Sequence, residues 1–271
     1  MLLSMDTMGN LHVKSTSWQE LLACYQRGLV SATLAGTPCE TFSEARHYGH
    51  QEPAADAEEQ RRLPRPLRSR DRLLGLPALS LRELKQLHMG SAFFLQGLLL
   101  ISHHVRCGGF FISEHPAPPA DQSRASIWTS PWIEILLRHP DVKLHAVPQW
   151  KFGAEVPKPT SLLSLRLPCF LKSLYRHADE TLQKPSAIAI GRNLDGSFKT
   201  SSLKEYPGRF SAGLAQAVTD QLDLEMRRGR VRPTSPVCTE STHRWIREAS
   251  VANGQIRQCS SWLPDYQPGS C

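Results

Sequence analysis

Apolar residues recur at helical spacing at Trp18, Leu21, Leu22 and Tyr25, behind a Ser17 suited to an N-terminal cap, and predict a helix that ends near Gly28. The mostly apolar run 29–35 then predicts a buried strand, closed by Gly36-Thr37-Pro38, which cannot continue regular structure. The strongest helical signal covers 80–106. It opens on Ser80 with Glu83 three residues later, a capping-box spacing, and stops at Cys107-Gly108-Gly109. Phe110-Phe111-Ile112-Ser113 predicts a second strand, stopped by Glu114-His115-Pro116. A helix over 131–138, a strand over 142–147, a loop over 149–159, a strand over 162–167 and a last helix over 210–225 complete the pattern.

Helix alternating with strand predicts an α/β fold: a mainly parallel sheet covered by helices on both faces, with ligands beyond the carboxyl ends of the strands. Both Pro38-Cys39 and Glu114-His115-Pro116 fall at such ends. Between 48 and 77 the composition turns to Glu, Arg and Pro and predicts a surface loop. Its arginines, Arg61, Arg62, Arg65, Arg68, Arg70 and Arg72, read as a solvated basic loop and are also the best candidate face for a phosphate polymer such as DNA. The expected organisation is one α/β domain over 1–225 and a basic, disordered C-terminal tail over 226–271.

Composition narrows the classes. The net charge is 32 − 25 = +7, and a hydrophobic fraction of 40% supports an ordinary buried core. The longest apolar stretch, 91–102, is broken by Gln96 and falls short of the roughly 20 residues that a bilayer span requires, so no membrane partner is expected. MLLSMDTMGN lacks a basic n-region, which predicts an intracellular protein. The seven cysteines form no CxxC pair and read as free thiols. Cys238, His243, Cys259 and Cys271 match no tight zinc spacing, so no metal is expected.

Two strand tips carry the candidate chemistry. A cysteine in a tight Gly-Thr-Pro turn projects its thiol toward a cleft, and Glu114 at a neighbouring tip offers acid assistance, the pair that covalent catalysis requires. Taken alone, Cys39 also reads as a small buried residue at a turn and Glu114 as a solvated loop acid. Cys39 paired with His115 or another histidine would instead make a thiol enzyme on an α/β scaffold.

Gly36-Thr37-Pro38-Cys39-Glu40-Thr41-Phe42-Ser43 resembles the Pro-Cys nucleophile loop of cytosine-5 DNA methyltransferases, written G-x-P-C-Q-x-F-S. Glu114-His115-Pro116 stands where that family carries Glu-Asn-Val, and Gln149-Trp150-Lys151-Phe152-Gly153 with Lys158-Pro159-Thr160 is similar to the loop before its basic substrate-contact motif. Methylase-like proteins linked with retroelements carry P-C-E-T-W-S, E-H-P, S-I-W, K-P-T and K-E-Y-P. Ser126-Ile127-Trp128 and Lys204-Glu205-Tyr206-Pro207 extend the same order here, so the likeness spans roughly 9–220.

The resemblance implies that Cys39 attacks C6 of a flipped cytosine while Glu114 binds and protonates the pyrimidine edge, with S-adenosylmethionine as methyl donor. It places Pro38 and Asn10 on the cofactor, Ser43 on the DNA backbone, and Lys158 and Thr160 on the target nucleotide. The departures are equally specific. Too little chain precedes Cys39 to hold the family's glycine-rich cofactor loop and ribose acid, Asn10 replaces an aspartate, Glu40 replaces a glutamine, and the target-recognition insert and Gly-Asn-Ala-Val motif are missing. The expectation is an incomplete Rossmann-like methyltransferase fold, truncated or degenerate in function, completed by another fragment or a second copy, and nuclear if DNA is its substrate. The alternative is a non-catalytic, retroelement-derived nucleic-acid-binding or interaction protein.

Overall fold

The computed structural model describes residues 16–48, 65–186 and 205–229. Asn10, Arg61, Arg62, the tail from 230 onward with its four candidate zinc ligands, and most of the expected 48–77 loop lie outside the described residues.

The first helix, α1 (Thr16–Gln26), buries Trp18, Leu22 and Tyr25 as its spacing requires, and leads into strand β1 (Ala32–Gly36). A single turn, α2 (Ala45–Tyr48), precedes the longest helix, α3 (Leu81–Cys107). Ser80 and Glu83 close the predicted capping box, and Gly108 ends the helix at φ 88, a conformation that costs a residue without Cβ nothing. Strand β2 (Phe110–Pro116) follows, then a 3-10 turn (Ile127–Thr129), helix α4 (Pro131–Leu137), strand β3 (Val142–Pro148), a 3-10 turn (Gln149–Phe152) and strand β4 (Pro159–Leu165). Helices α5 (Phe170–Tyr175) and α6 (Gly208–Arg227) complete the described chain. The two shortest helices, α2 and α5, are too brief to leave a periodic signal.

The α/β class holds, with two corrections. The sheet is mixed rather than mainly parallel, in the order β1-β2-β4-β3: β1 and β2 are parallel, while β4 runs antiparallel to both β2 and β3. The reason lies in the connection. Parallel neighbours need a crossover of about a dozen residues or more, which α3 supplies between β1 and β2. The segment between β3 and β4 carries only one 3-10 turn and folds back as a hairpin. A second correction concerns β2, which runs through Glu114-His115-Pro116 because β4 pairs with it as far as Thr160.

Helices cover both faces. Phe111, Leu163 and Leu165 meet Trp18, Leu22, Phe94 and Ile133 on one side, and Ile112 and Leu162 meet Phe152, Phe170, Leu174, Phe210 and Leu214 on the other. Arg166 locks the crossover: its guanidinium donates to the carbonyls of His104, Val105 and Gly109 and ion-pairs with Asp141 at 3.3 Å. The His104 and Val105 carbonyls belong to the last turn of α3, where a cation is favourable. Among the described residues no helix is long and apolar enough to cross a membrane.

His104 sits under this lock, bonded through Nε2 to the Thr33 hydroxyl at 2.7 Å and edge-on to Tyr25. Burial, reinforced by His103 and Arg166, holds its pKa down at about 4. Its contribution is present above the ordinary histidine pKa, about 6.5, and is lost as pH falls toward 4. We expect the urea midpoint to drop between pH 7.5 and 5, with His104 accounting for about 2 kcal/mol. Glu114, whose pKa is raised, acts in the opposite sense, so the comparison that isolates His104 is with His104→Gln. The variant should flatten the pH dependence; an unchanged slope would refute the assignment.

Candidate functional site

Parallel pairing sets Gly36 beside Glu114. The chain leaving β1 turns at once, and the Phe42 amide donates to the Cys39 carbonyl at 2.9 Å, so Cys39 stays close to the tip of β2. The turn is fastened from behind by Arg68. This guanidinium is 2% exposed, donates to the Thr41 hydroxyl at 3.1 Å, to the Leu87 carbonyl at 3.0 Å and to the Leu73 carbonyl, and lies 4.2 Å over the Phe42 ring.

That anchor corrects the expected DNA face. Arg68 is buried, and Arg65 makes a two-bond pair with Glu83 at 2.7 and 2.9 Å, so among the described arginines of the cluster only Arg70 and Arg72 stand exposed. A chain rich in Arg and Pro reads as solvated, but three acceptors and an aromatic face make burial of this one cation tolerable.

Glu114 is 5% exposed and surrounded by donors from three other segments. Its Oε2 accepts from the Tyr206 hydroxyl at 2.8 Å. Its Oε1 accepts at longer range from Gln149 Nε2 (3.3 Å) and the Thr160 hydroxyl (3.4 Å), and Lys158 Nζ stands 3.9 Å away. Gln149 also donates to Thr160 at 2.8 Å, and Lys158 Nζ lies 5.1 Å over the Tyr206 ring. The Gln149 amide oxygen is buried with no hydrogen-bond partner among the described residues.

Electrostatics couple the group. Burial pushes the Glu114 carboxyl up, opposed by Lys158 and by the bonds from Tyr206 and Thr160. Burial also pushes the Cys39 thiol up, and the Glu114 charge adds to it while Lys158 opposes. Tyr206 is raised too, by burial and by Glu114, so its phenol keeps its proton and remains a donor. The arrangement places a thiol and a carboxyl, both with raised pKa values, within reach of one ammonium.

Four residues singled out in the sequence, Cys39, Glu114, Lys158 and Thr160, therefore converge from three segments. Pro38 is exposed on the turn, Ser43 sits further along it and half-buried, and Asn10 lies outside the described residues. Gln149 and Tyr206 belong to the group without having been assigned a role; each falls within a motif of the resemblance, which was the available signal. His115 points to the opposite face of β2, edge-on to Phe42 at 5.3 Å and near Trp128 at 6.1 Å, and burial drives its pKa down to about 3. Neither ring nitrogen bonds another side chain among the described residues, which removes the Cys39–His115 thiol-enzyme reading. Among the described residues no group of three or more metal-ligating side chains is assembled.

Comparisons with family models, with curated proteins and with solved structures find no match.

The coupling predicts the behaviour of the thiol. Glu114→Gln removes a negative neighbour, lowers the Cys39 pKa and should speed its alkylation by iodoacetamide at pH 7.5 by roughly threefold to tenfold. Lys158→Met should slow it. Rates read by mass spectrometry on the Cys39 peptide check this, and equal rates in all three proteins would remove the coupling.

Proposed function

We propose that the chain is the base-engaging part of a cytosine-5 DNA methyltransferase-like domain, truncated or degenerate, with Cys39 as nucleophile and Glu114 as acid. The observation that carries the reading is the Gly36–Glu114 register, which brings a thiol and a buried carboxyl to adjacent carboxyl ends of parallel strands, with Lys158 and Thr160 against the same carboxyl. The unit of β1, α3 and β2, two parallel strands joined by a helical crossover, agrees with an incomplete Rossmann-like fold, in which ligands lie beyond those ends.

The cofactor is another matter. Among the described residues no strand pairs with the outer edge of β1, no glycine-rich loop enters a helix beside it, and Asn10 is not described. These residues do not fit S-adenosylmethionine by themselves, and we assign them no methyl-transfer step. A completing fragment or a second copy of the chain would add at the free edge of β1.

What the residues do is addition and elimination on the ring. Cys39 gives its proton to solvent and its sulfur bonds to C6 of a cytosine drawn out of its stack. The C5–C6 π pair becomes a C4–C5 double bond, and the C4–N3 π pair moves onto N3, which takes the proton held by Glu114. The enamine is nucleophilic at C5 and takes a proton there from solvent. Loss of the original C5 proton, return of the N3 proton to Glu114 and expulsion of the thiolate restore cytosine with its C5 hydrogen exchanged. The +7 charge suits a phosphate polymer, with exposed Arg70 and Arg72 as positions to contact it, and a DNA substrate would make the protein nuclear.

The test needs no methyl donor. With oligonucleotides tritiated at cytosine C5, the chain should release tritium to solvent, Cys39→Ser should abolish release, and Glu114→Gln should lower it about 100-fold. No release, with wild type and Cys39→Ser binding the same oligonucleotide with the same salt dependence, overturns the catalytic reading and favours the retroelement-derived, binding-only alternative.

A further inference from the structure

The strongest bond to Glu114 comes from a residue far away in the chain. Tyr206 lies just before α6, packs edge-on against Phe210 at 5.5 Å, and extends its hydroxyl to Glu114 Oε2 at 2.8 Å. The path to that oxygen crosses the end of β1. A Cβ added to Gly36 would lie 2.8 Å from the Tyr206 hydroxyl oxygen, closer than carbon and oxygen approach without displacement. Gly36 has an ordinary backbone here, so its lack of a side chain serves clearance rather than conformation.

We propose that Tyr206 is a positioning residue that fixes which oxygen of Glu114 carries the acidic proton, and that Gly36 is glycine because this hydroxyl must pass over it. A phenol that keeps its proton donates to Oε2 in both states of the carboxyl. Oε2 is then held as an acceptor, and the proton goes to Oε1, whose contacts are longer at 3.3 and 3.4 Å and which can donate to the Thr160 oxygen once that hydroxyl turns to the Lys158 carbonyl at 3.4 Å. The carboxyl cannot present its proton through the other oxygen without giving up its shortest bond. That Glu114 is the acid rests on the base-engaging reading above; the orientation of its carboxyl does not.

The test reads the carboxyl directly. The titratable and charged groups around it are Cys39 on the turn after β1, Lys158 on the loop before β4 and Tyr206 before α6, with His115 next to it on β2 but facing the opposite side. In the full chain carrying glutamate labelled with carbon-13 at the carboxyl, the Glu114 resonance is the one lost in Glu114→Gln. Its pH titration is followed in wild type, Tyr206→Phe, Gly36→Ala and a chain with 3-fluorotyrosine placed at 206. Removing the donor withdraws a bond that favours the charged form, so Tyr206→Phe should raise the midpoint by about one pH unit. Gly36→Ala should raise it in the same direction, because the hydroxyl is pushed away. The more acidic fluorophenol should lower it.

Opposite shifts from removing and strengthening one donor are not produced by a merely structural tyrosine. If Tyr206→Phe fails to fold, the fluorotyrosine chain, which keeps the ring in place, decides. A midpoint unchanged across the folded variants overturns the proposal. The experiment contains no nucleic acid, so shifted midpoints together with no C5 exchange would uphold the positioning role and reject the base-engaging reading.

Discussion

Everything at the candidate site depends on one backbone constraint, the parallel pairing of β1 with β2 in a register that sets Gly36 against Glu114. Parallel strands leave their carboxyl ends on the same side, so a residue just past one tip and a residue at the other share a small volume. The pairing requires a long connection, and α3 supplies it: a capped helix of 27 residues running back across the sheet. Arg166 fixes its far end by donating to three carbonyls, of His104, Val105 and Gly109, the first of which also accepts the Gly108 amide. A defect at this corner, far from Cys39, would loosen the register on which the site is built.

The site also sets two costly charges on opposite faces of the sheet. Arg68 is buried with hydroxyl, carbonyl and aromatic partners, and its pKa falls to about 10 through desolvation and the neighbouring Arg46. It holds the turn that carries Cys39 against α3. Glu114 is buried on the other face, its carboxyl raised and its contacts drawn from the 3-10 turn after β3, from β4 and from the segment before α6. A carboxyl serving only stability would be better exposed or matched to a close cation; here the ammonium stands off at 3.9 Å and the nearest donor is a neutral phenol. That arrangement suits a group that exchanges a proton.

The mixed sheet has a further consequence. β3 and β4 form a hairpin that extends the sheet on the β2 side, so the donors to Glu114 Oε1 come from a local unit, with the Gln149 side chain bonded to the Thr160 hydroxyl near its turn. On the other side β1 keeps an edge with no strand beside it among the described residues.

The sequence by itself determined the elements with strong local signals: the Ser80–Glu83 box and Gly108 of α3, the apolar spacing of α1, and the strands about Phe110 and Val142. Those properties follow from interactions within a few residues, which side-chain periodicity and capping chemistry record. Strand direction, the burial of Arg68, the burial of His115 away from Cys39, and the reach of Tyr206 across 92 positions to Glu114 were decided only by tertiary structure. Each depends on which face of which distant element comes to rest against the residue, and a linear pattern holds no term for that contact.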